Sequence, residues 1–484
     1  MARLTSTLLA LVVVVAGCSP ATPEQHALDD AAAALGGADA VRAAQTLTLE
    51  GRGIAYRLGQ NRNPDTDLPT SEVSAFKRQI DLGSHRLRTD TTAANFLGVP
   101  VTQVAALDGA VAYTVAGNGA AQRTGGTAAA DRRAEYYHHP LTLLQAALAE
   151  GEGAAATVSN LREEMGHTVL DVRTPDGVDV QLHLDPATNQ PVMITSMSYN
   201  DNLGDVTIST SFSDFAAAGD LQLPTAVSQK IDQFPALELT LSSTVNGAID
   251  DIAAPAEVAS APEPGPAAAT VTAEELASGV WLLAGQSHHS VLVEFPSYTA
   301  LVEAPQNDTR TLAVIAKARE LVPGKPLQYV VNTHHHFDHS GGLRAAVAEG
   351  LTIITHEINQ PLYEQLVRRP HTKMADRLAQ NPAELKIATV TGDEKFELRD
   401  GNRVLEAYRI RNDTHNDGIL MVYLPAERIL VEVDSFTPPR GGPTAENLLA
   451  EIKARGLRVN RIAPLHGTVV PIAELQKAAA GATD

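Results

Sequence analysis

The decisive stretch is Tyr329-Val330-Val331-Asn332-Thr333-His334-His335-His336-Phe337-Asp338-His339-Ser340-Gly341-Gly342. It opens as a short apolar run, which reads as a buried strand. It then breaks into four histidines and one carboxylate within six residues. Imidazole nitrogen and carboxylate oxygen are common zinc ligands, and a strand-end loop can aim several of them at one place. His334 and His336 stand two apart, so they face the same side of a locally extended chain and His335 faces away. Asp338 and His339 fall at the turn and face a second position. Gly341 and Gly342 predict a tight backbone bend before the next helix.

Outward from this stretch the pattern alternates. Val291 to Phe295 and Thr299 to Val302 read as paired strands, Thr311 to Leu321 as a helix, and Leu343 to Glu349 as another. Leu351 to Thr355 reads as a strand and Ile358 to Arg368 as a helix. Such alternation implies an α/β layered domain. Three further segments carry chemistry near apolar runs. His415 precedes Ile419 to Leu424, Asp434 ends Ile429 to Val433, and His466 lies in Pro464-Leu465-His466-Gly467.

His-x-His-x-Asp-His after an apolar strand, followed in order by His415, Asp434 and His466, resembles the metallo-β-lactamase-fold hydrolase superfamily. The resemblance runs from about Gly279 to the C-terminus and implies an αββα sandwich. It implies that His334, His336 and His415 hold one metal and that Asp338, His339 and His466 hold a second, with Asp434 as bridge. Two zinc ions are the default, and iron or manganese suits the same ligands. Paired cations would lower the pKa of a shared water. Asp338 would orient that nucleophile and pass a proton to the leaving group, and Asp434 would set the metal spacing. His289 and His371 are the residues expected to contact substrate. Glu303 stands where the family has Asp, at a position that supports the site.

A bridging aspartate looks more like the thioesterases, lactonases and phosphodiesterases of the superfamily, with a glyoxalase II-like ligand set, than like true β-lactamases. The expected activity is hydrolysis of a small ester, thioester, lactone or related molecule. Two alternatives come from other classes. One is an enzyme like the mononuclear-iron persulfide dioxygenases. The other is a non-catalytic, lipid-anchored binding protein whose function lies in its N-terminal half.

That half reads differently. Residues 1–17 have a positive start, a short apolar core and small residues before Cys18, the parts of an export signal. Val15-Ala16-Gly17-Cys18 resembles a bacterial lipobox, which implies lipidation at Cys18 and a membrane anchor in the cell envelope. With Ser19 next, the outer membrane facing the periplasm is the expected address in a Gram-negative cell. Residues 18–44 read as a tether, with room for a short helix, and residues 45–250 as a mainly antiparallel β domain. Val178, Val180, Leu182 and Leu184 alternate with polar neighbours, and turns follow at 186–189 and 200–204. Leu141 to Glu150 suggests a helix against this sheet. The stretches 184–191 and 219–224 resemble the lipoprotein-carrier domains of bacterial envelopes, which implies a concave sheet. Residues 251–270 hold four prolines and read as a semi-rigid linker before the catalytic domain of 271–484.

Composition narrows the partners. The 484 residues carry a formal charge of −20, and aromatics make up 4%. An acidic chain poor in stacking residues is a poor nucleic-acid binder. A single cysteine excludes an intramolecular disulfide and any cysteine-rich zinc module. A small-molecule substrate and a membrane reached through the lipid anchor remain.

Overall fold

The computed structural model describes residues 21–95, 98–149 and 156–481. The signal peptide expected over 1–17 and the lipidation expected at Cys18 lie outside the described residues. Among the described residues no helix is long and apolar enough to cross a membrane.

The N-terminal half is one antiparallel sheet of 13 strands. Its first strand, Thr46–Tyr56, pairs with its last, Phe234–Val245, so the two ends of the domain meet in mid-sheet. The expected strands near 178–184 and 192–198 are Asp179–Leu184 and Pro191–Asn200, paired antiparallel. The helix expected from Leu141 is Pro140–Ala147, and it follows a second helix, Gly126–Tyr137.

Two expectations for this half are corrected. Residues 23–43 are not a tether. They form helices Pro23–Ala34 and Ala38–Ala43, the first capped by the Thr22 hydroxyl. Leu28, Leu35 and Val41 are fully buried in the domain core with Leu141 and Leu144. A buried leucine contributes roughly 1.5–3 kcal/mol, a gain that a solvated tether would forgo. The proline-rich stretch 251–270 is likewise no free spacer. Ile252 and Val258 are buried, and Tyr113 donates its hydroxyl hydrogen to the Ile252 carbonyl (3.1 Å).

The C-terminal half is a two-sheet sandwich. One sheet has seven strands and the other six. In the first, Thr299–Val302, Leu327–Val331, Thr352–His356 and Lys386–Val390 run parallel. Helices Asp308–Leu321, Leu343–Ala348 and Gln360–Arg368 cover its outer face. Helices Pro443–Ala454 and Ile472–Ala480 pack with the six-stranded sheet. Between the sheets, Val291, Val302, Val331, Leu405, Val422 and Val431 share one core. This is the αββα arrangement. A separate apolar cluster joins the domains, because Leu203 and Val206 of the N-terminal sheet are buried with Leu292, Leu343 and Tyr363.

Candidate metal centre

The chemistry collects along one rim of the sandwich, where strands of both sheets end. Strand Leu327–Val331 runs out into Asn332 and Thr333, and the histidine run follows. Asp434 lies just past strand Ile429–Glu432, and His466 just past Arg461–Pro464. His415 sits in the loop before Leu420–Leu424. Phe337–Ser340 forms a single helical turn that carries Asp338 and His339, and the His339 ring packs 4.5 Å from that of His334.

Gly341 and Gly342 serve a different purpose from the expected one. Gly341 has ordinary helical dihedrals and Gly342 a φ of −96°. A Cβ on Gly341 would meet the Gln306 carbonyl at 1.9 Å, and one on Gly342 would meet the Thr311 hydroxyl at 1.8 Å. Close approach, rather than a tight bend, requires glycine at both places.

Eight side chains form two groups, each with ligand atoms within 4.8 Å of one another. One group is His334, His336, His415 and Asp434; the other is His288, Asp338, His339 and His466. Asp434 ties them together. Its Oδ2 lies 3.3 Å from His334 Nε2, 2.9 Å from His415 Nε2 and 3.2 Å from His339 Nε2. Its Oδ1 lies 3.1 Å from His466 Nε2.

Of the ring nitrogens that face inward, His336 Nδ1 is buried with no hydrogen-bond partner, His334 Nε2 and His415 Nε2 meet the Asp434 carboxylate, and His339 Nε2 and His466 Nε2 face each other at 3.1 Å. The opposite nitrogens of three rings are held by acceptors. His336 Nε2 donates to the Asn61 carbonyl (3.0 Å), His339 Nδ1 to Glu303 Oε2 (3.2 Å) and His466 Nδ1 to the Ser287 carbonyl (2.9 Å). A ring that donates from one nitrogen carries its lone pair on the other. Outer hydrogen bonds that turn the free nitrogens inward are how a metal site orients its histidines. The donor set therefore fits metal ions.

Electrostatics agree for His334 and His336. Burial, with His336 and His339 close by, holds His334 well below its usual pKa. Burial beside His415 and His335 takes His336 down to about 3. Both are therefore neutral, as ligands must be. Burial opposes ionisation of Asp434, yet His339 and the bonds from His334, His339 and His415 hold its pKa well below the usual range. Asp338 is likewise lowered; burial works against it, and the hydrogen bond from His288 together with the neighbouring His339 outweighs burial. Burial disfavours a charge on His339 too, but Asp434 and Glu303 raise it well above the ordinary value.

Glu303 carries out the support expected of the family's aspartate, over a longer reach. Its carboxylate accepts from Thr333 Oγ1 (2.6 Å), from Asn332 Nδ2 and from His339 Nδ1. Asn332 Nδ2 also donates to the His339 carbonyl (2.8 Å). One buried glutamate thus fixes both ends of the histidine loop. Its backbone is in the left-handed region, at φ +81°. Such a conformation costs about 1–3 kcal/mol in a residue with a side chain.

Other expected residues fall elsewhere. His335 is turned aside to Asn416 (3.1 Å). His289 lies beside the cluster with its Nδ1 accepting from the Gly285 amide (3.3 Å). His371 is not brought to the cluster. It is buried where the domains meet, 3.1 Å from the Tyr199 hydroxyl and 3.2 Å from Asp376. His288 is brought in beside the ligands, with Nε2 3.2 Å from Asp338 Oδ2 and its ring against His466. Gln60 and Asn61 of the N-terminal domain had no signal in the sequence. Beside the centre opens a cleft of about 390 Å³, walled by Leu58, Asn200 and Asn202 on one side and by His288, Phe337 and Asp338 on the other.

Residues 284–431 match the family model described as the Metallo-beta-lactamase superfamily. The C-terminal domain is a metallo-β-lactamase superfamily domain, with the hydrolase-type fold of that superfamily and His/Asp clusters suited to metal. Among solved structures, it is similar to a metallo-beta-lactamase from Pontibacter korlensis at 18% identity, covering 44% of this chain and 98% of that one, with a TM-score of 0.35. A metallo-beta-lactamase from Hirschia baltica is similar at 18% identity over 43% and 96% of the two chains, with a TM-score of 0.34. The sec-alkylsulfatase Pisa1 from Pseudomonas sp. is similar at 17% identity over 43% of this chain and 40% of that one, with a TM-score of 0.33. No curated protein matches the chain.

Proposed function

We propose that this protein is a dinuclear zinc hydrolase acting on a small ester, thioester or lactone. The observation that carries the reading is the pair of ligand groups that share Asp434, with imidazole nitrogens turned inward. His334, His336 and His415 would hold one cation, and Asp338, His339 and His466 the other. Bound there, the metals supply Lewis acidity and a hydroxide at neutral pH. The rest falls to the side chains. Asp434 keeps the two groups together and offsets their charge. Asp338 reaches the cleft and is partly exposed, so it can take a proton from the attacking water and return it to the leaving group. His288, bonded to Asp338, steadies the carboxylate through that transfer. The neighbouring cleft has room for a small molecule. Cys18 supports an envelope address, with the folded part tethered in water.

The deciving test is metal analysis of the purified full chain, followed by assays on ester, thioester and lactone substrates. About two zinc ions per chain and turnover of one of these classes are expected. One iron with oxygen uptake would replace this reading with sulfur oxidation. For the anchor, Cys18→Ser should move the protein from membrane to soluble fractions on cell fractionation. Unchanged membrane association would remove the lipid anchor from the account.

A further inference from the structure

Four consecutive residues of the N-terminal domain reach the metal centre. They lie in the loop between strands Thr46–Tyr56 and Thr70–Asp81. The Gly59 carbonyl accepts from the Phe337 amide (3.2 Å). Gln60 Nε2 donates to Asp338 Oδ1 (2.8 Å). The Asn61 carbonyl accepts from His336 Nε2 (3.0 Å). The Arg62 carbonyl accepts from the Asp417 amide (2.9 Å), and its guanidinium pairs with the Asp417 carboxylate (2.7 Å). The partners are two residues of the ligand groups, the residue between them, and a residue two beyond His415.

The loop is built to hold this position. Asn61 is 8% exposed, and its Nδ2 donates to the carbonyls of Asn63 (2.8 Å) and Pro64 (3.1 Å). Its side chain thus folds the loop while its carbonyl faces His336. Gly59 has a φ of +70°, and a Cβ there would stand 2.2 Å from the Phe337 ring. Only glycine allows the loop to come this close. From a second N-terminal segment, Asn202 Nδ2 donates to the Phe337 carbonyl (3.0 Å), and its Oδ1 accepts from the Ser340 hydroxyl (3.0 Å). Two N-terminal segments therefore grip the turn that carries Asp338 and His339.

We infer that the metal centre is assembled across both domains, with Gln60 and the Asn61 carbonyl as positioning groups for the two cations. The Asn61 carbonyl takes the Nε2 hydrogen of His336 and so leaves the Nδ1 lone pair for metal. Gln60 and His288 each bind one oxygen of Asp338 and so fix the plane of its carboxylate. The N-terminal domain is then part of the site and not a spacer. This rests on the reading of the clusters as metal ligands, but not on the substrate.

The test is zinc and cobalt binding by the full chain in competition with a chelator, read beside the cobalt absorption spectrum and the unfolding of the metal-free protein. Gln60→Ala should weaken one of the two metal equivalents by about 10-fold, with unfolding unchanged. Gly59→Val should lift the loop from Phe337, weaken binding by about 10–100-fold and alter the cobalt spectrum. Should Gly59→Val not fold, Gln60→Ala decides alone. Affinities within twofold of the parent in the folded variants would overturn the inference, as would a parent that binds no metal. A parent that binds two metals but hydrolyses no ester, thioester or lactone would overturn the proposed function alone.

Discussion

His138 of the N-terminal sheet domain and His336 of the sandwich are both buried, and both have depressed pKa values. Burial takes His138 to about 4 and His336 to about 3. Their surroundings differ. His138 has both nitrogens engaged, Nδ1 with the Thr210 hydroxyl and Nε2 with the Ser196 hydroxyl, each at 2.8 Å. His336 is held on one side only, and its other nitrogen points at His334, His415 and Asp434 without a hydrogen bond. His183 shows that a bare nitrogen is not enough. Both of its nitrogens are unpaired, yet it belongs to neither ligand group and its ring neighbour is His167 at 5.8 Å. Burial and a shifted pKa therefore describe structural and functional histidines alike. What separates them is convergence of several ring nitrogens and a carboxylate on one place.

The sharpest way to break this comparison is to remove the convergence. His334→Ala with His336→Ala should abolish one metal equivalent and lower hydrolysis by more than about 100-fold, beyond the effect of outer-shell changes. Metal analysis and turnover read both. Unchanged metal content would erase the distinction between the two kinds of histidine. Glu303→Asp comes next. A shorter side chain cannot reach Thr333, Asn332 and His339 together, so metal affinity should fall by about 10–100-fold in chelator competition.

The smallest effect on the site is expected from His138→Ala. It should leave metal binding unchanged. It strands the Ser196 hydroxyl and leaves that of Thr210 only the Gln229 amide at 3.4 Å, at about 1–3 kcal/mol of stability in urea unfolding. It should also alter the acid limb of stability. Because the folded pKa of His138 is about 4, the unfolded chain takes up this proton first as the pH drops. The native protein then loses stability as the pH falls from about 6.5 to about 4. The variant should show a shallower loss over that window. An unchanged pH profile would mean that His138 is not neutral in the folded state.

Much of the C-terminal domain was legible because its signals are local. The expected helix at 311–321 is Asp308–Leu321, and the expected strands at 291–295 and 299–302 are paired as read. Ligands within one strand-end loop follow from spacing. The N-terminal helices were less legible. An alanine-rich run such as 23–43 reads as solvated until Leu28 and Leu35 are seen to share a core with residues more than a hundred positions away. His371 misled for the same reason, since a histidine in a loop carries no mark of the domain interface it fills.

Residue order alone pointed to the kind of chemistry: seven ligand-type side chains, in order, beside short apolar runs. Tertiary structure alone decided their surroundings. Gln60 and Asn61 stand far from the histidine run in the chain and bear no motif. The group that orients His336 is a backbone carbonyl, which every residue possesses. Only the docking of one domain on the other makes that carbonyl part of a metal site.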